Sequence, residues 1–418
     1  MRPALSLCFC LQLFLCFGQQ YPYRDIITTL CSSSFAGRGY VEDGSTKGAN
    51  FIAAEFQKIG LQPFKKKFLQ PFTLPVQTFP GACTFVLGND TLQPGVDYLA
   101  EPSSAGVQPQ EYQLVYCNTA TLYRSINAFK PCPKDRILVV ETSGFGGDTN
   151  KIMLARLQEL KQFAATIELT DKKLTWSVSQ TASPYPAFQV LAASIVTRPQ
   201  RAFIHLESVF IPKFTASNVI GYLPAAQKAT KKPYIVLTAH YDHLGKMGKA
   251  TCFPGANDNA SGVGMLLYLA QELSLKRDPN FNYVFIAFGA EEAGLVGSHY
   301  YVEHPLFDLK QIRFLLNTDI MGSGEEGITV VNATLFDKEF QQLKSINEKG
   351  KYISQVKSRG PAANSDHYFF TEKGVPAFFV YTMGPNKHYH DIYDTAEELS
   401  YAAFEPLAEL LLNFLRSF

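Results

Sequence analysis

Five side chains of the types that bind transition metals occur in the second half of the chain, most of them just after apolar runs. They are His240, Asp258, Glu292, Asp319 and His390. Two imidazoles and three carboxylates, one of them free to bridge, suit a pair of zinc ions that leave room for water. The sequence therefore predicts a centre of two Zn2+ ions at which water is activated.

Asp258 lies in a turn rich in Gly, Asn and Ser, just before a predicted helix. An Asp at this place could simply cap the helix. Asn257, Asn259 and Ser261 could do so equally well, so Asp258 is not needed as a cap. We therefore assign Asp258 as the carboxylate that bridges both metals.

Glu291 and Glu292 are adjacent carboxylates at the end of another apolar run. On a non-helical backbone their side chains point in different directions. One can bind a metal, while the other takes a proton from water and passes it to a leaving amine. We assign Glu292 as the ligand and Glu291 as the catalytic base.

His240 and Asp242 are two residues apart at a predicted strand end, so their side chains point the same way. A histidine that binds a metal usually donates its other ring N–H to a carboxylate or a carbonyl. Asp242 is expected to orient His240 in this way and is counted with the catalytic residues. The neighbouring His243 has no motif around it and is expected to be structural.

The last predicted ligand, His390, has a competitor in His388 two residues earlier. Tyr389 between them could donate a hydrogen bond to a developing oxyanion, or it could be an aromatic side chain at the rim of the cleft. Asp366 and Asp394 are candidates to support the ligands.

Strands and helices alternate from about residue 216. Strands are predicted at 234–238, 283–288, 314–316, 328–331 and 377–381, and helices at 261–275, 294–303, 338–348 and 396–415. Nearly continuous apolar strands that alternate with helices indicate a sheet buried on both faces. Ligand sites in such sheets lie beyond the carboxyl ends of the strands, where most of the metal-type residues fall. The predicted fold class is α/β, with a mixed, mostly parallel central sheet flanked by helices.

Two further segments complete the predicted organisation. Residues 21–70 are helical in pattern, and 19–70 are assigned to the same domain as 216–418. Residues 71–215 are rich in Pro, Thr, Val and aromatic residues and read as mostly β, with one helix near 151–165. We predict that 71–215 form an inserted domain.

Composition limits the classes of function. Charged residues make up 18% of the 418 residues and the net charge is +1, which argues against a nucleic-acid partner and a polybasic membrane contact. Residues 1–18 have the pattern of a signal peptide, which predicts a secreted or periplasmic protein. No stable membrane partner is expected, and the oligomeric state cannot be read from the sequence.

Together, the motifs resemble the co-catalytic zinc aminopeptidases and carboxypeptidases of clan MH. The resemblance rests on 238–245, 255–262, 288–294, 317–319 and 389–395. That group includes bacterial leucyl aminopeptidases, plasma glutamate carboxypeptidase and the transferrin receptor. It implies the zinc exopeptidase fold, with a diverged protease-associated-like domain at 71–215, and peptide substrates cut next to a free terminus.

The resemblance also implies how the ligands are shared. His240 should go with Asp319 and His390 with Glu292, with Asp258 common to both metals. The family's last His stands shortly before an Asp-Thr pair, so Asp394-Thr395 favours His390 over His388. A tyrosine precedes that His in several members, which supports Tyr389 as the oxyanion partner.

An aminopeptidase is the expected activity, and three alternatives stay open. A carboxypeptidase or dipeptidase would place an arginine at the substrate carboxylate, for which Arg359 is a candidate. Glutaminyl cyclases lack the full ligand set that is present here. A non-catalytic, receptor-like domain would not need all five ligands and Glu291.

Overall fold

The computed structural model describes residues 21–118, 135–141, 163–195, 197–227 and 232–418. The predicted signal peptide at 1–18 lies outside these residues. So does most of the helix predicted at 151–165, whose last residue, Ala165, is the first residue of a strand. Among the helices of the described ranges, none is both long and apolar enough to cross a membrane.

Most of the described chain is arranged in two large sheets and the helices around them. The strands are, in chain order, β1 Leu69–Thr78, β2 Cys83–Leu87, β3 Asp90–Leu92, β4 Tyr98–Ala100, β5 Val107–Asn118, β6 Arg136–Glu141, β7 Ala165–Thr170, β8 Ala187–Leu191, β9 Arg201–Leu206, β10 Val209–Leu223, β11 Tyr234–His240, β12 Gly245–Met247, β13 Thr251–Phe253, β14 Asn282–Phe288, β15 Ile312–Thr318, β16 Gly327–Val331, β17 Val356–Ser358 and β18 Ala377–Met383. The described helices are α1 Tyr23–Cys31, α2 Gly44–Ile59, α3 Ser261–Leu275, α4 Val296–Glu303, α5 Asp337–Gly350, α6 His367–Glu372 and α7 Phe404–Leu415.

The central sheet has the strand order β1-β10-β14-β11-β15-β18-β16-β17. Its middle strands β14, β11, β15 and β18 are parallel to one another, whereas β1, β10 and β16 make antiparallel pairs. Helices cover both faces of this mixed sheet, so the predicted fold class is confirmed.

Alternate residues of each middle strand pack on opposite faces. In β11, Ile235 and Leu237 join the core formed with α1, α2, α3 and α7, while Val236 joins the core formed with α4 and α6. All three side chains are at most 1% exposed. Burying an aliphatic side chain of this size stabilises the fold by about 1.5–3 kcal/mol. Burial on both faces explains why these strands read as nearly continuous apolar runs.

The five strands and four helices predicted after residue 216 are all present, with one helix divided. Residues 396–415 form a short 3-10 helix at Ala396–Glu398 and, separately, α7. Tyr401 lies between them with φ 54°, and its N–H donates to the carbonyl of Gly322 at 3.0 Å. That contact takes the backbone out of the helical path, which apolar periodicity alone does not reveal.

The second sheet has the order β3-β2-β9-β5-β6-β7-β8-β4 and is built entirely from chain within 71–215. The predicted borders of this insertion, however, fall inside strands of the central sheet. β1 and β10 pair with each other from Leu69 opposite Val219 to Thr78 opposite Val209. The chain thus leaves and re-enters the central sheet along two neighbouring strands. The assignment of 71–215 as a separate domain stays a prediction.

Candidate metal centre

The centre forms where three parallel strands end side by side. β11 ends at His240, β14 at Phe288 and β15 at Thr318, and His240 pairs with Phe288 across the ladder. Side chains at or just beyond these ends therefore meet at one edge of the sheet, as expected for an α/β fold.

Asp258 lies between the two predicted histidine ligands. Its Oδ1 is 3.3 Å from Nε2 of His240, and its Oδ2 is 3.2 Å from Nε2 of His390. The carboxylate is only 4% exposed. Each of its oxygens thus faces a different imidazole, which is the arrangement that a bridging carboxylate requires.

The remaining two ligand candidates divide between the same histidines. Asp319 Oδ2 is 3.4 Å from Nε2 of His240, and Glu292 Oε2 is 3.1 Å from Nε2 of His390. The structure therefore brings together all five residues and groups them in the pairs that the resemblance implies.

Glu291 lies beside the His240 half of the centre. Ligand atoms of His240, Glu291 and Asp319 are all within 4.8 Å of one another. Burial raises the pKa of the Glu291 carboxyl well above its usual range, and the nearby carboxylates of Glu292 and Asp366 act in the same direction against the opposing effect of His240. A carboxyl group at this place can accept a proton and return it, as general acid–base catalysis requires.

Asp242 contacts His240 and the two glutamates, but its carboxylate is not the group that contacts the His240 ring most closely. Nδ1 of His240 is 3.1 Å from the backbone carbonyl of Asp242, whereas the nearest carboxylate oxygen of Asp242 is 3.9 Å away. The carboxylate instead accepts hydrogen bonds from the backbone N–H groups of Glu291 (3.0 Å) and Glu292 (3.2 Å). One residue thus links the end of β11 to the turn after β14.

Asp394 holds the turn that carries Asp258. Its two carboxylate oxygens accept hydrogen bonds from the backbone N–H groups of Asn257 at 2.8 Å and Asp258 at 3.0 Å. Burial raises its pKa to about 7, partly offset by these two N–H groups. Asp394 therefore holds the backbone of Asp258, the residue predicted to bridge the metals.

Arg38 was not identified from the sequence, and it holds the same turn from the other side. It is fully buried. Its guanidinium donates to the backbone carbonyls of Leu30, Tyr241, Pro254 and Gly255, at 2.6–3.0 Å. A fixed fork of donors can satisfy several carbonyls at once, so Arg38 links the turn after β11 to the turn before Asp258.

A chain of side-chain hydrogen bonds reaches Asp319. Thr238 donates to Asn317 at 2.7 Å, Asn317 donates to Ser365 at 2.8 Å, and Ser365 donates to Oδ2 of Asp319 at 3.2 Å. The neighbouring Asp366 is fully buried, and burial raises its pKa to about 7. Ser365 therefore orients Asp319, a predicted ligand; in this part of the chain the sequence had indicated only its neighbour Asp366 as a supporting residue.

Two further contacts to the predicted ligands were not foreseen from the sequence. His243, expected to be structural, is fully buried with Nδ1 2.7 Å from Oε1 of Glu292. Nδ1 of His390 donates to the backbone carbonyl of Trp176 at 2.8 Å. Trp176 follows β7 and packs in the core of the second sheet. The short spacing between His240 and His243 could have indicated that His243 also lies at the centre. The carbonyl of Trp176 could not be predicted, because a backbone group from a distant part of the chain leaves no sequence pattern.

The other residues singled out from the sequence lie at the edge of the centre or outside it. Tyr389 is 48% exposed, and its ring stacks on that of His390 with centroids 3.9 Å apart. His388 contacts Asp391 rather than the ligand carboxylates. Arg359 is exposed and donates to the hydroxyl of Tyr381 at 3.1 Å.

The donor set fits a divalent metal. Oδ1 of Asp319 is buried and receives no hydrogen bond from the described residues. Burial by itself would lower the pKa of His390, but the charges of Glu292 and Asp258 outweigh it and raise that pKa to about 11. The site therefore has a strongly negative potential that favours cations, and mixed imidazole and carboxylate ligands suit zinc.

Part of the chain is similar to known peptidases. Residues 218–415 match the model of peptidase family M28. The chain is 32% identical over 209 residues to aminopeptidase YwaD of Bacillus subtilis, a match that covers 47% of this chain and 43% of that protein. A probable leucine aminopeptidase of Trichophyton verrucosum is 28% identical over 217 residues, with 49% and 57% covered. The chain thus spans about half the length of the curated relatives it matches.

Solved structures share the fold over nearly the whole chain. A zinc aminopeptidase from Bacillus subtilis superposes with a TM-score of 0.71 at 21% identity, covering 94% of this chain and 93% of that one. A peptidase M28 precursor from Shewanella amazonensis gives a TM-score of 0.65 at 16% identity, with 94% and 95% covered. The match to peptidase family M28 thus covers residues 218–415, a little under half of the chain.

Proposed function

We propose that this protein is a secreted aminopeptidase that uses two zinc ions to hydrolyse the bond after the first residue of a peptide. The observation that carries the proposal is Asp258, whose two oxygens face His240 at 3.3 Å and His390 at 3.2 Å. The names of the relatives support the choice of an aminopeptidase. The signal-peptide pattern at 1–18 supports secretion.

The ligands of each ion follow from the grouping of the side chains. His240 and Asp319 would hold one ion, His390 and Glu292 the other, and Asp258 would be shared. Zinc bound there would polarise the scissile carbonyl and lower the pKa of a bound water. The backbone contacts of Asp242 and Asp394 would keep the ligand-bearing turns in place, as outer hydrogen bonds commonly do at metal sites.

Glu291 would move the proton. Its carboxyl group lies next to His240 and Asp319, and burial raises its pKa well above the usual range. It would take a proton from the attacking water and deliver it to the nitrogen of the leaving amine when the C–N bond breaks. Tyr389, half exposed beside His390, would donate a hydrogen bond from its hydroxyl to the oxyanion.

A carboxypeptidase is the main alternative within the family. It would need a cation at the substrate's terminal carboxylate, and Arg359 was the candidate. Because Arg359 is exposed and bonded to Tyr381, no contact of this residue favours that activity over an aminopeptidase.

The test is hydrolysis of peptides that are blocked at one end, with the zinc-loaded protein and its Glu291→Gln variant. We expect cleavage only when the amino terminus is free. We expect the variant to keep its zinc and its fold but lose at least about 100-fold in kcat, since general acid–base catalysis commonly contributes 10²–10⁴-fold. Glu409→Gln, at an exposed position of α7, is the matched control. Cleavage that requires a free carboxyl terminus, or normal turnover by Glu291→Gln, would refute the proposal.

A further inference from the structure

A segment of irregular backbone at 173–180 connects the second sheet to the metal centre. It follows β7 and contacts two loops of the central sheet, the one that carries His390 and the one that carries Glu292. We call residues 173–180 the strap. None of its contacts is used by the mechanism above, and both loops belong to the same half of the centre.

Lys173 lies at one end of the strap and holds the His390 loop by three contacts. Its ammonium group donates to the backbone carbonyls of Lys387 (2.7 Å) and Tyr389 (3.2 Å) and pairs with the carboxylate of Asp391 at 2.6 Å. An ammonium group has three N–H donors, so these acceptors satisfy it fully. The side chain of Asp391 is only 5% exposed, which makes this contact less screened than an ordinary surface ion pair.

Trp176, in the middle of the strap, is bonded to His390 twice. Its N–H donates to the carbonyl of His390 at 2.9 Å, and its own carbonyl accepts from Nδ1 of His390 at 2.8 Å. The indole is fixed in turn, because it stacks on Phe253 and donates to the carbonyl of Ala100 at 2.9 Å. Both the backbone and the ring of His390 are therefore oriented by a rigid part of the strap.

Gln180, at the other end, reaches the glutamate turn. Its side-chain amide donates to the carbonyl of Ala293, the residue after Glu292, at 2.7 Å. The backbone beside it is anchored to the central sheet, since the carbonyl of Ser179 accepts from the N–H of Gln77 in β1 at 2.9 Å. The strap thus contacts the backbone next to both ligands of one ion.

His390 needs such support because of its own backbone. It has φ 55°, a left-handed conformation that L-residues adopt only when the surroundings hold them there. It also lies well beyond Met383, the last residue of β18, so the sheet does not position it directly. The contacts of Lys173 and Trp176 supply that constraint.

We propose that the strap sets the affinity of one of the two metal positions, the one held by His390 and Glu292, and that Lys173 is its positioning residue. This inference rests on the proposed function for the existence of two metal positions. The position held by His240 and Asp319 lies at strand ends of the central sheet, and none of the strap contacts described above involves either residue, so its affinity for metal should be largely unaffected.

The test is zinc titration of metal-free protein against a competing chelator, for wild type, Lys173→Met, Lys173→Arg and Lys172→Met. Methionine keeps much of the lysine stem and removes the charge. We expect Lys173→Met to reduce the affinity for one of the two zinc ions by about 10–100-fold, which is typical when hydrogen bonds that support a metal ligand are lost. The affinity for the other ion should be unchanged. Lys173→Arg should restore most of the affinity. Lys172→Met, at the exposed neighbouring lysine, should behave as wild type.

Single-ion backgrounds identify which position responds. In Asp319→Asn, where the remaining ion is the one held by His390 and Glu292, adding Lys173→Met should produce the full loss of affinity. In Glu292→Gln it should produce little. Gln180→Met, which removes the contact to the carbonyl of Ala293, should reduce the affinity for the same ion. This variant provides the test if Lys173→Met does not fold.

Hydrogen exchange of the zinc-free protein gives a readout that does not depend on metal. The amides of residues 387–391 should exchange faster in Lys173→Met than in Lys172→Met. Unchanged exchange and affinity, or equal weakening of both ions, would overturn the inference. Wild-type protein that binds fewer than two ions would count against the proposed function instead, and the exchange experiment alone would then decide whether the strap positions the loop.

Discussion

Replacing Asp242 by Asn tests whether the turn after β14 is positioned by one buried carboxylate. Asp242 is fully buried, and its two oxygens accept from the backbone N–H groups of Glu291 and Glu292 at 3.0 and 3.2 Å. Asn has nearly the same shape but only one acceptor oxygen. Its amide nitrogen would face one of these N–H groups, so one hydrogen bond is lost and a buried donor is left without an acceptor.

The size of the effect follows from these contacts. Loss of a charge-assisted hydrogen bond together with an unsatisfied buried donor costs about 2–4 kcal/mol. Unfolding entropy is about 2.1 cal/mol/K per residue, so for 418 residues the cost corresponds to a fall in Tm of only about 2–5 °C. Catalysis is more sensitive, because a displacement of about 1 Å of a catalytic group can reduce the rate about 100-fold. We therefore expect Asp242→Asn to lose about 100-fold in kcat while it stays folded.

The assay combines kcat and KM on a peptide with a free amino terminus, thermal unfolding and zinc content. Asp90→Asn, at an exposed position of β3, is the control for the same chemical change. Tyr40→Phe removes the hydroxyl that lies 3.3 Å from Oδ2 of Asp242 and should have a much smaller effect, because both backbone contacts remain. A kcat for Asp242→Asn within about threefold of wild type, with full zinc content, would refute the positioning role, since even a partial displacement should cost more.

Three further outcomes are expected. Asp258→Ala should lose affinity for both ions, because each carboxylate oxygen of Asp258 faces a different histidine. Elemental analysis that finds either ion at full occupancy would contradict a bridging role. His243→Gln should weaken the ion held by Glu292 about 10-fold, since its ring contacts Oε1 of that ligand at 2.7 Å, and chelator competition would reveal an unchanged affinity if the ring is only structural. Burial lowers the pKa of His367 from 6.5 to about 4. Between these two pH values the unfolded chain binds a proton at His367 that the folded chain does not. The free energy of unfolding should therefore fall by about 3 kcal/mol as the pH drops from 6.5 to 4. His367→Gln should show a flatter fall in Tm between pH 6.5 and 4, and parallel curves for the two proteins would rule out His367 as the cause.

The strands of the central sheet were predictable because they obey local rules, and the candidate ligands were indicated by their places relative to those strands. β11, β14 and β15 are short apolar runs buried on both faces, and His240 and Asp319 stand at or directly after the ends of two of them. For these residues, the position along the chain nearly determines the position in space. The pairing of β1 with β10 was harder to predict from the sequence, because the two strands are far apart in the chain. In addition, β1 contains prolines and so resembles the predicted insertion in composition.

The supporting contacts were mostly beyond sequence reasoning, for a physical reason. Arg38 and Trp176 act through backbone carbonyls, and every residue has a carbonyl, so no residue type marks the partner. Asp242 was identified as a supporting residue of His240, but its carboxylate accepts from two backbone N–H groups, and Nδ1 of His240 is closer to the backbone carbonyl of Asp242 than to its carboxylate. Which groups meet in such contacts depends on the tertiary fold and not on spacing.

The two halves of the centre therefore differ in how they are built. His240 and Asp319 are fixed by strands of the central sheet, and the hydrogen-bonded chain through Ser365 adds to a position that the sheet already determines. His390 lies in the loop after β18, where its own backbone has a left-handed conformation, and both its ring and its backbone are hydrogen-bonded to Trp176. A site of this kind can keep one metal position constant while the affinity of the other changes through contacts from the second sheet. The chemistry of the ligands explains why metals bind, and the unequal support of the ligands explains why the two positions should respond differently to mutation.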